Sequence, residues 1–217
     1  MPENNFVSNP KLGTIISLSL VLFIPLFIFR EIGAFDFWWW MSANIIVMIS
    51  LSFVMDPGYL DILKEDLSNQ LWRKIIYGVL SAVLLYLVFW VGNYLSRRWF
   101  GFAGEGIENV YNFKGDAAFY RILVLMGLII GPGEEIFWRG VLQRWLGNRF
   151  GQLSGFVAAT LIYTGVHVFS FNPMLIVAAF VAGLFWGFMY YRYKSLLANV
   201  VSHTLWDVAV FLVFPFS

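Results

Sequence analysis

Long uninterrupted apolar runs alternate along the chain with short polar breaks. The runs "LGTIISLSLVLFIPLFIF" and "IIYGVLSAVLLYLVFWVGNYL" carry no charge, and each approaches the roughly 20 residues that a helix needs to cross the hydrocarbon core. Seven spans are predicted, at about 12–29, 38–55, 75–95, 117–130, 153–169, 174–191 and 195–214. The expected fold is all-α, a polytopic transmembrane helix bundle of about seven spans forming one integral domain over 1–217. The first run is longer than a signal-peptide core and has no small-residue cleavage pattern behind it, so it is expected to be a retained anchor.

Two breaks are long. "DPGYLDILKEDLSNQLWRK" sets Leu60, Ile62, Leu63, Leu67 and Leu71 among its charges, which suits an amphipathic helix along the interface or a solvated loop. "SRRWFGFAGEGIENVYNFKGD" is rich in Gly without helical periodicity and is expected to be a loop that shapes an entrance to the membrane interior. With seven spans, Lys and Arg divide eight against four between the two sides, which favours a cytoplasmic N-terminus.

Composition sharpens this picture. The chain is 60% hydrophobic and 12% charged, with a mean hydropathy of +0.74, against roughly 45–50% and about 25% in soluble domains. The net charge of +1 and the lack of a basic cluster leave no footprint for nucleic acid. Without cysteine there is no disulfide framework, no thiolate nucleophile and no sulfur-based zinc site.

Ionisable groups inside apolar spans are costly, so those that persist are functional candidates. They are Glu134, Glu135 and Arg139 in "GPGEEIFWRG", His167 in "LIYTGVHVFS", and His203 and Asp207 in "LLANVVSHTLWDVAVF". Both histidines of the chain fall in this set. Pro132 suits the first position of a new helix, which predicts a discontinuous helix with both glutamates in its first turn. Residues four apart share a helical face, so Glu135 reaches Arg139 while Glu134 points about 100° away toward another neighbour. Tyr163 lies one turn before His167, and Asn199, His203 and Asp207 form one polar stripe. An ion pair that pins two helices and a stripe of interhelical hydrogen bonds would satisfy the same patterns. Arg121, near the start of its span, can snorkel to the interface.

A carboxylate and an imidazole can position and deprotonate a water, and a second imidazole with a hydrogen-bonding partner can support an oxyanion. The same residues could hold a divalent metal such as zinc, with Glu134, His167 and His203 as candidate ligands, although no helix carries a paired H-E-x-x-H motif.

The three motifs "EEIFWRG", "YTGVH" and "HTLWD", in this order, resemble the CPBP intramembrane proteases, the group of type II CAAX prenyl endopeptidases and bacteriocin-processing or immunity proteins. The likeness covers about 117–210. It implies an intramembrane endopeptidase acting on a membrane-anchored peptide or protein, in which Glu134 and His167 activate water and His203 and Asp207 support the oxyanion. Glu135, Arg139, Tyr163 and Asn199 take supporting places, and the family's description as metallo- or glutamate-dependent leaves the cofactor open. Tyr163 stands where the family usually has Phe, and Asp207 where the prenyl endopeptidases have Asn. An ionised carboxylate repels an oxyanion, so Asp207 more naturally orients His203 or stays protonated, which weighs against a CAAX substrate specifically.

Two other readings remain: a non-catalytic scaffold or immunity-type protein of the same fold, and an ion carrier. Ala179, Gly183 and Gly187 form a ladder expected to serve helix packing, with lining of a substrate path as the alternative, and the many tryptophans, Trp38 to Trp40 among them, are expected as interfacial anchors. The compact build suits a bacterial inner membrane.

Overall fold

The computed structural model describes residues 9–216, which contain eleven α-helices joined by short connections. Among the described residues there is no strand, only an isolated bridge between Ile32 and Phe35. Helices α1 (Asn9–Phe29), α2 (Phe37–Met55), α4 (Leu71–Trp99), α10 (Pro173–Tyr193) and α11 (Leu196–Val208) follow the predicted spans closely. These five are long and apolar enough to cross a membrane, α11 with its π-helical extension to Val213. The chain is an integral, multi-pass membrane protein. The predicted span at 117–130 falls on a helical run that changes from α to π geometry and the one at 153–169 on a helix of 17 residues, so among the described residues five such helices stand where seven spans were predicted.

The break at 56–74 contains the short helix α3 (Tyr59–Ser68), in line with the amphipathic alternative. Leu60, Ile62 and Leu67 are exposed on it, while Tyr59 is buried. The second break is not the loop that its glycines suggest. It holds α5 (Ala103–Tyr111). There Gly106 fills a contact rather than a turn: a Cβ on it would lie 2.8 Å from Met174 Cγ and 3.3 Å from Asn172 Oδ1. Close approach, not conformational freedom, is what glycine supplies here.

The centre of the molecule is a continuous helical run from Phe119 to Phe150. Its α-helical pieces are α6 (Phe119–Leu125), α7 (Gly131–Glu134) and α8 (Arg144–Phe150), with π-helical turns at Met126–Ile130 and Glu135–Gln143 between them. The predicted discontinuity at Pro132 is therefore absent. A proline lacks the N–H and crowds the preceding turn of an α-helix, and the wider π turn just before it, where Gly131 N–H reaches back to Met126 O, absorbs both effects without a break. In the second π turn every residue from Phe137 to Gln143 is buried. A helix apolar and buried all round belongs at the core of a bundle.

Around this run pack α1, α2, α9 (Gln152–Val168), α10 and α11. Trp138, Trp145 and Trp186 are fully buried at the contacts. Trp38 is also buried, so these four tryptophans are core residues and not the interfacial anchors expected of them, whereas Trp39 is exposed. Helix α4 leans on α11 and turns Val79, Leu80, Val83 and Leu87 outward, as a lipid-facing helix does. Gly78 permits that approach, since a Cβ there would lie 2.6 Å from Val201 Cβ.

Gly183 and Gly187 of the small-residue ladder on α10 serve packing, as expected. A Cβ on Gly187 would meet Phe156 at 2.8 Å, and one on Gly183 would meet Tyr163 at 3.2 Å. Arg121 does not merely snorkel; it pairs with Asp36, whose Oδ1 also accepts Trp39 N–H at the start of α2. Helix α11 starts at Ser195, whose hydroxyl accepts Ala198 N–H at 3.2 Å, and Asp66 accepts Leu197 N–H at 2.7 Å. These caps set the phase of the polar stripe on α11.

Helices α8 and α9 meet backbone to backbone. A Cβ on Gly155 would lie 2.2 Å from Gly147 N and 2.4 Å from its Cα, and backbone cannot step aside as a side chain can. Gly155→Ala is expected to cost about 1–3 kcal/mol through overpacking and to lower the unfolding temperature in detergent. Gly165→Ala, on the same helix with nothing within 4 Å of its Cβ position, leaves that temperature unchanged or raises it.

Candidate active site

Helix α7, the second π turn, α9 and α11 bring the predicted polar residues to one place. Glu134, Glu135, Arg139, Tyr163, His167, Asn199, His203 and Asp207 are all buried. Glu135 is the most heavily bonded. Its Oε1 accepts Arg139 Nη1 at 2.9 Å and lies 2.7 Å from His203 Nδ1, while its Oε2 accepts Asn199 Nδ2 at 2.9 Å. The predicted pairing of Glu135 with Arg139 is present. Asn199 Nδ2 also donates to Trp186 O at 2.8 Å, so both contacts are with acceptors and the amide orientation follows.

The imidazole of His203 joins the two glutamates. With Nδ1 donating to Glu135, Nε2 faces the other way, 3.5 Å from Glu134 Oε2 and 3.5 Å from Asp207 Oδ2. Glu134 thus reaches a neighbour of its own, Tyr163, and also the second nitrogen of the ring that Glu135 holds, because adjacent helical residues diverge by about 100° and the two ring nitrogens look apart. The ring is clamped on its face by Trp186, stacked at 3.6 Å between centroids and 21° between planes. Trp186 is itself held by a 3.1 Å hydrogen bond from Nε1 to Ser202 Oγ.

His167 obeys similar logic. Its Nδ1 lies 2.8 Å from Tyr163 O, and a carbonyl only accepts, so Nδ1 carries the proton and Nε2 keeps its lone pair. Phe27 of α1 packs on this ring at 4.4 Å and Tyr163 at 4.8 Å. The Tyr163 hydroxyl, which a Phe would lack, donates to Glu134 Oε2 at 3.4 Å. The Arg139 guanidinium lies 4.9 Å from the Tyr163 ring and 5.6 Å from Trp186.

Glu134, His167, His203 and Asp207 line a single cavity of about 320 Å³ whose remaining wall is chiefly apolar. Its most exposed lining residues, Val88 and Gly92 on α4 and Val177 on α10, place its opening toward lipid between those helices. Among the described residues, no three His, Asp or Glu side chains group so as to hold a metal ion. Each histidine commits Nδ1 to a protein acceptor, as metal-ligating histidines do, and keeps Nε2 for a ligand, but Glu134, His167 and His203 are not grouped as a coordination set among the described residues.

Sequence reasoning missed three supports. Trp186 lies in an apolar run with no polar neighbour to flag it. Gln143 donates to Gly187 O at 2.8 Å and ties the central run to α10. Gly140 lies under Tyr59, whose hydroxyl donates to Ile136 O at 2.9 Å and would be 1.7 Å from a Cβ at position 140. The glycine of the E-E-x-x-x-R-G motif therefore has a packing cause.

The network separates the two glutamates energetically. Glu135→Gln sets an amide against three donors and leaves Arg139 buried without its counter-charge, at a cost of about 3–5 kcal/mol, or roughly 10 °C in unfolding temperature. Glu134→Gln, whose contacts are 3.4 and 3.5 Å, leaves the unfolding temperature within a few degrees of the parent.

No curated protein and no solved structure matches the chain. Residues 116–209, which hold all three motifs and every carboxylate and imidazole of the site, match the family model described as type II CAAX prenyl endopeptidase Rce1-like, and the likeness of the motifs to the CPBP proteases stands on that match.

Proposed function

We propose that the protein is an intramembrane endopeptidase that hydrolyses a peptide bond of a membrane-associated substrate, using a water activated by Glu134. The observation that carries this reading is the pair of differently held glutamates: Glu135 takes donors on both oxygens, whereas Glu134 has only contacts of 3.4 and 3.5 Å and faces the cavity. Such long separations are those of groups that tighten when a reacting molecule enters.

In this mechanism a water held by Glu134 and His167 Nε2 attacks the scissile carbonyl carbon. Glu134 takes its proton as the new C–O bond forms. The developing oxyanion is supported by His203, whose Nδ1 stays bonded to Glu135 while a protonated Nε2 donates. Collapse breaks the C–N bond, and Glu134 returns the proton to the departing amine. Asp207, 3.5 Å from Nε2, orients His203 through a weak contact and donates to the oxyanion only if protonated. The family match supports protease chemistry, and the apolar wall supports a substrate that arrives from the bilayer.

Terminal-peptide mass spectrometry of membranes expressing the parent or Glu134→Gln at equal abundance tests the reading. New membrane-protein termini seen only with the parent are expected, and identical profiles would turn the assignment toward a scaffold of the same fold. Once a substrate is in hand, His203→Ala is expected to lower kcat by about 100-fold or more, the usual cost of an oxyanion donor. Asp207→Asn, which restores a permanent donor, retains or raises activity, while Asp207→Leu loses it; equal losses in both would remove Asp207 from the proposed mechanism.

A further inference from the structure

The end of the described chain is seated against the same cavity. After the π-helical turn Ala209–Val213 the backbone leaves the helix at Phe214, and Phe216 forms part of the cavity wall with Tyr111 of α5. Side chains from α4 and α5 read its main chain. Tyr111 Oη accepts Phe216 N–H at 2.8 Å while donating to Val210 O at 3.2 Å. Arg97 Nη2 donates to Phe216 O at 3.0 Å, and Tyr86 donates to Phe214 O at 3.1 Å. The guanidinium is set by a 2.9 Å bond from Nε to Asn93 Oδ1, and the Phe216 ring packs on Tyr86 at 5.0 Å.

This arrangement is unusual for helix packing, in which main-chain groups are already satisfied within the helix. Here both the N–H and the C=O of one non-helical residue, and the C=O two residues before it, are met by side chains at the edge of a cavity. Polar side chains that bond main-chain atoms accept any sequence, while a pocket beside them selects a side chain. We propose that Arg97, Tyr111 and Tyr86 form a peptide-binding subsite, occupied in this structure by Phe214–Phe216, and that a substrate's extended segment bearing an aromatic or similarly bulky apolar residue takes their place. The subsite lies beside the opening between α4 and α10, so the chain's own segment acts as a strap that an entering peptide must displace. This rests on reading the cavity as a peptide site.

The test is photolabelling of the purified full chain in detergent with acetyl-Phe-Pro-(benzoyl-Phe)-amide, followed by mapping of the labelled positions. Phe216→Ala, which removes the strap's side chain from the cavity wall, is expected to raise labelling at least threefold, with labels on α4 and α5. Adding Arg97→Gln or Tyr111→Phe returns labelling to the parent level. Unfolding temperatures establish that each variant is folded, and if Tyr111→Phe is not, Arg97→Gln decides alone. Labelling that Phe216→Ala does not raise, or that persists without Arg97, overturns the proposal. Because the readout is binding, it is repeated on Glu134→Gln: labelling retained there while no Glu134-dependent termini are found would defeat the peptidase reading and leave the subsite standing.

Discussion

The geometry of the site hangs on the buried carboxylate of Glu135. A charge taken out of water is tolerated only when partners and hydrogen bonds replace its hydration. Here Arg139 on the same helix supplies the counter-charge, and Asn199 and His203 on α11 supply the remaining donors. The bonds therefore cross between elements and fix the rotation of α11 about its axis relative to the central run. Once that rotation is set, Nε2 of His203 has one direction to face, and it is the direction of Glu134 and Asp207. The stack on Trp186 removes the remaining freedom of the ring.

Glycines make that proximity possible. Helices in lipid gain little from hiding apolar surface and associate through close contact and interhelical hydrogen bonds. Gly187 lets α10 approach α9 and offers its carbonyl to Gln143, Gly140 admits Tyr59, and Gly131 lies where a Cβ would be 2.7 Å from Thr204 Oγ1 of α11. These contacts surround the stretch from Gly131 to Gln143 on several sides. They explain how a segment with two carboxylates and an arginine stays helical in the interior of the bundle.

What the sequence made legible follows from how local each signal is. The positions of α1, α2, α4, α10 and α11 were readable because a span needs a continuous apolar run, whereas the shorter runs at 117–130 and 153–169 look alike in sequence and fall on other kinds of helical segment. Glu135 with Arg139, and Asn199 with His203 and Asp207, were readable because four-residue spacing fixes a common face. The behaviour of Pro132 was not, since whether a proline breaks a helix or sits after a π turn depends on the packing around it, here Gly133 against Ile45 and Gly131 against Thr204. The helix at Ala103–Tyr111 was hidden for the same reason: Gly106 looked like a loop residue, and only its contact with Met174 shows why it is small. Trp186 and Phe27 carry no polar label, so their places beside His203 and His167 emerge only in three dimensions.

The apolar wall of the cavity has a chemical consequence of its own. A water entering such a space finds the carboxyl and imidazole groups of Glu134, His167, His203 and Asp207 together, with the unpartnered indole N–H groups of Trp38 and Trp206 as further donors on the wall, while the polar groups of Glu135, Arg139 and Asn199 are largely engaged with one another. A buried water needs about three such partners to be held. Water is thus concentrated where those side chains meet and disfavoured elsewhere, and each electrostatic contact it makes is strengthened by the low dielectric around it. The same lining of Val88, Val177, Phe211 and Trp206 that excludes bulk water is compatible with lipid-dissolved chains. In the hydrolysis proposed above, division of the cavity into a large apolar part and a small polar part would hold an apolar peptide against one wall and the attacking water against the other.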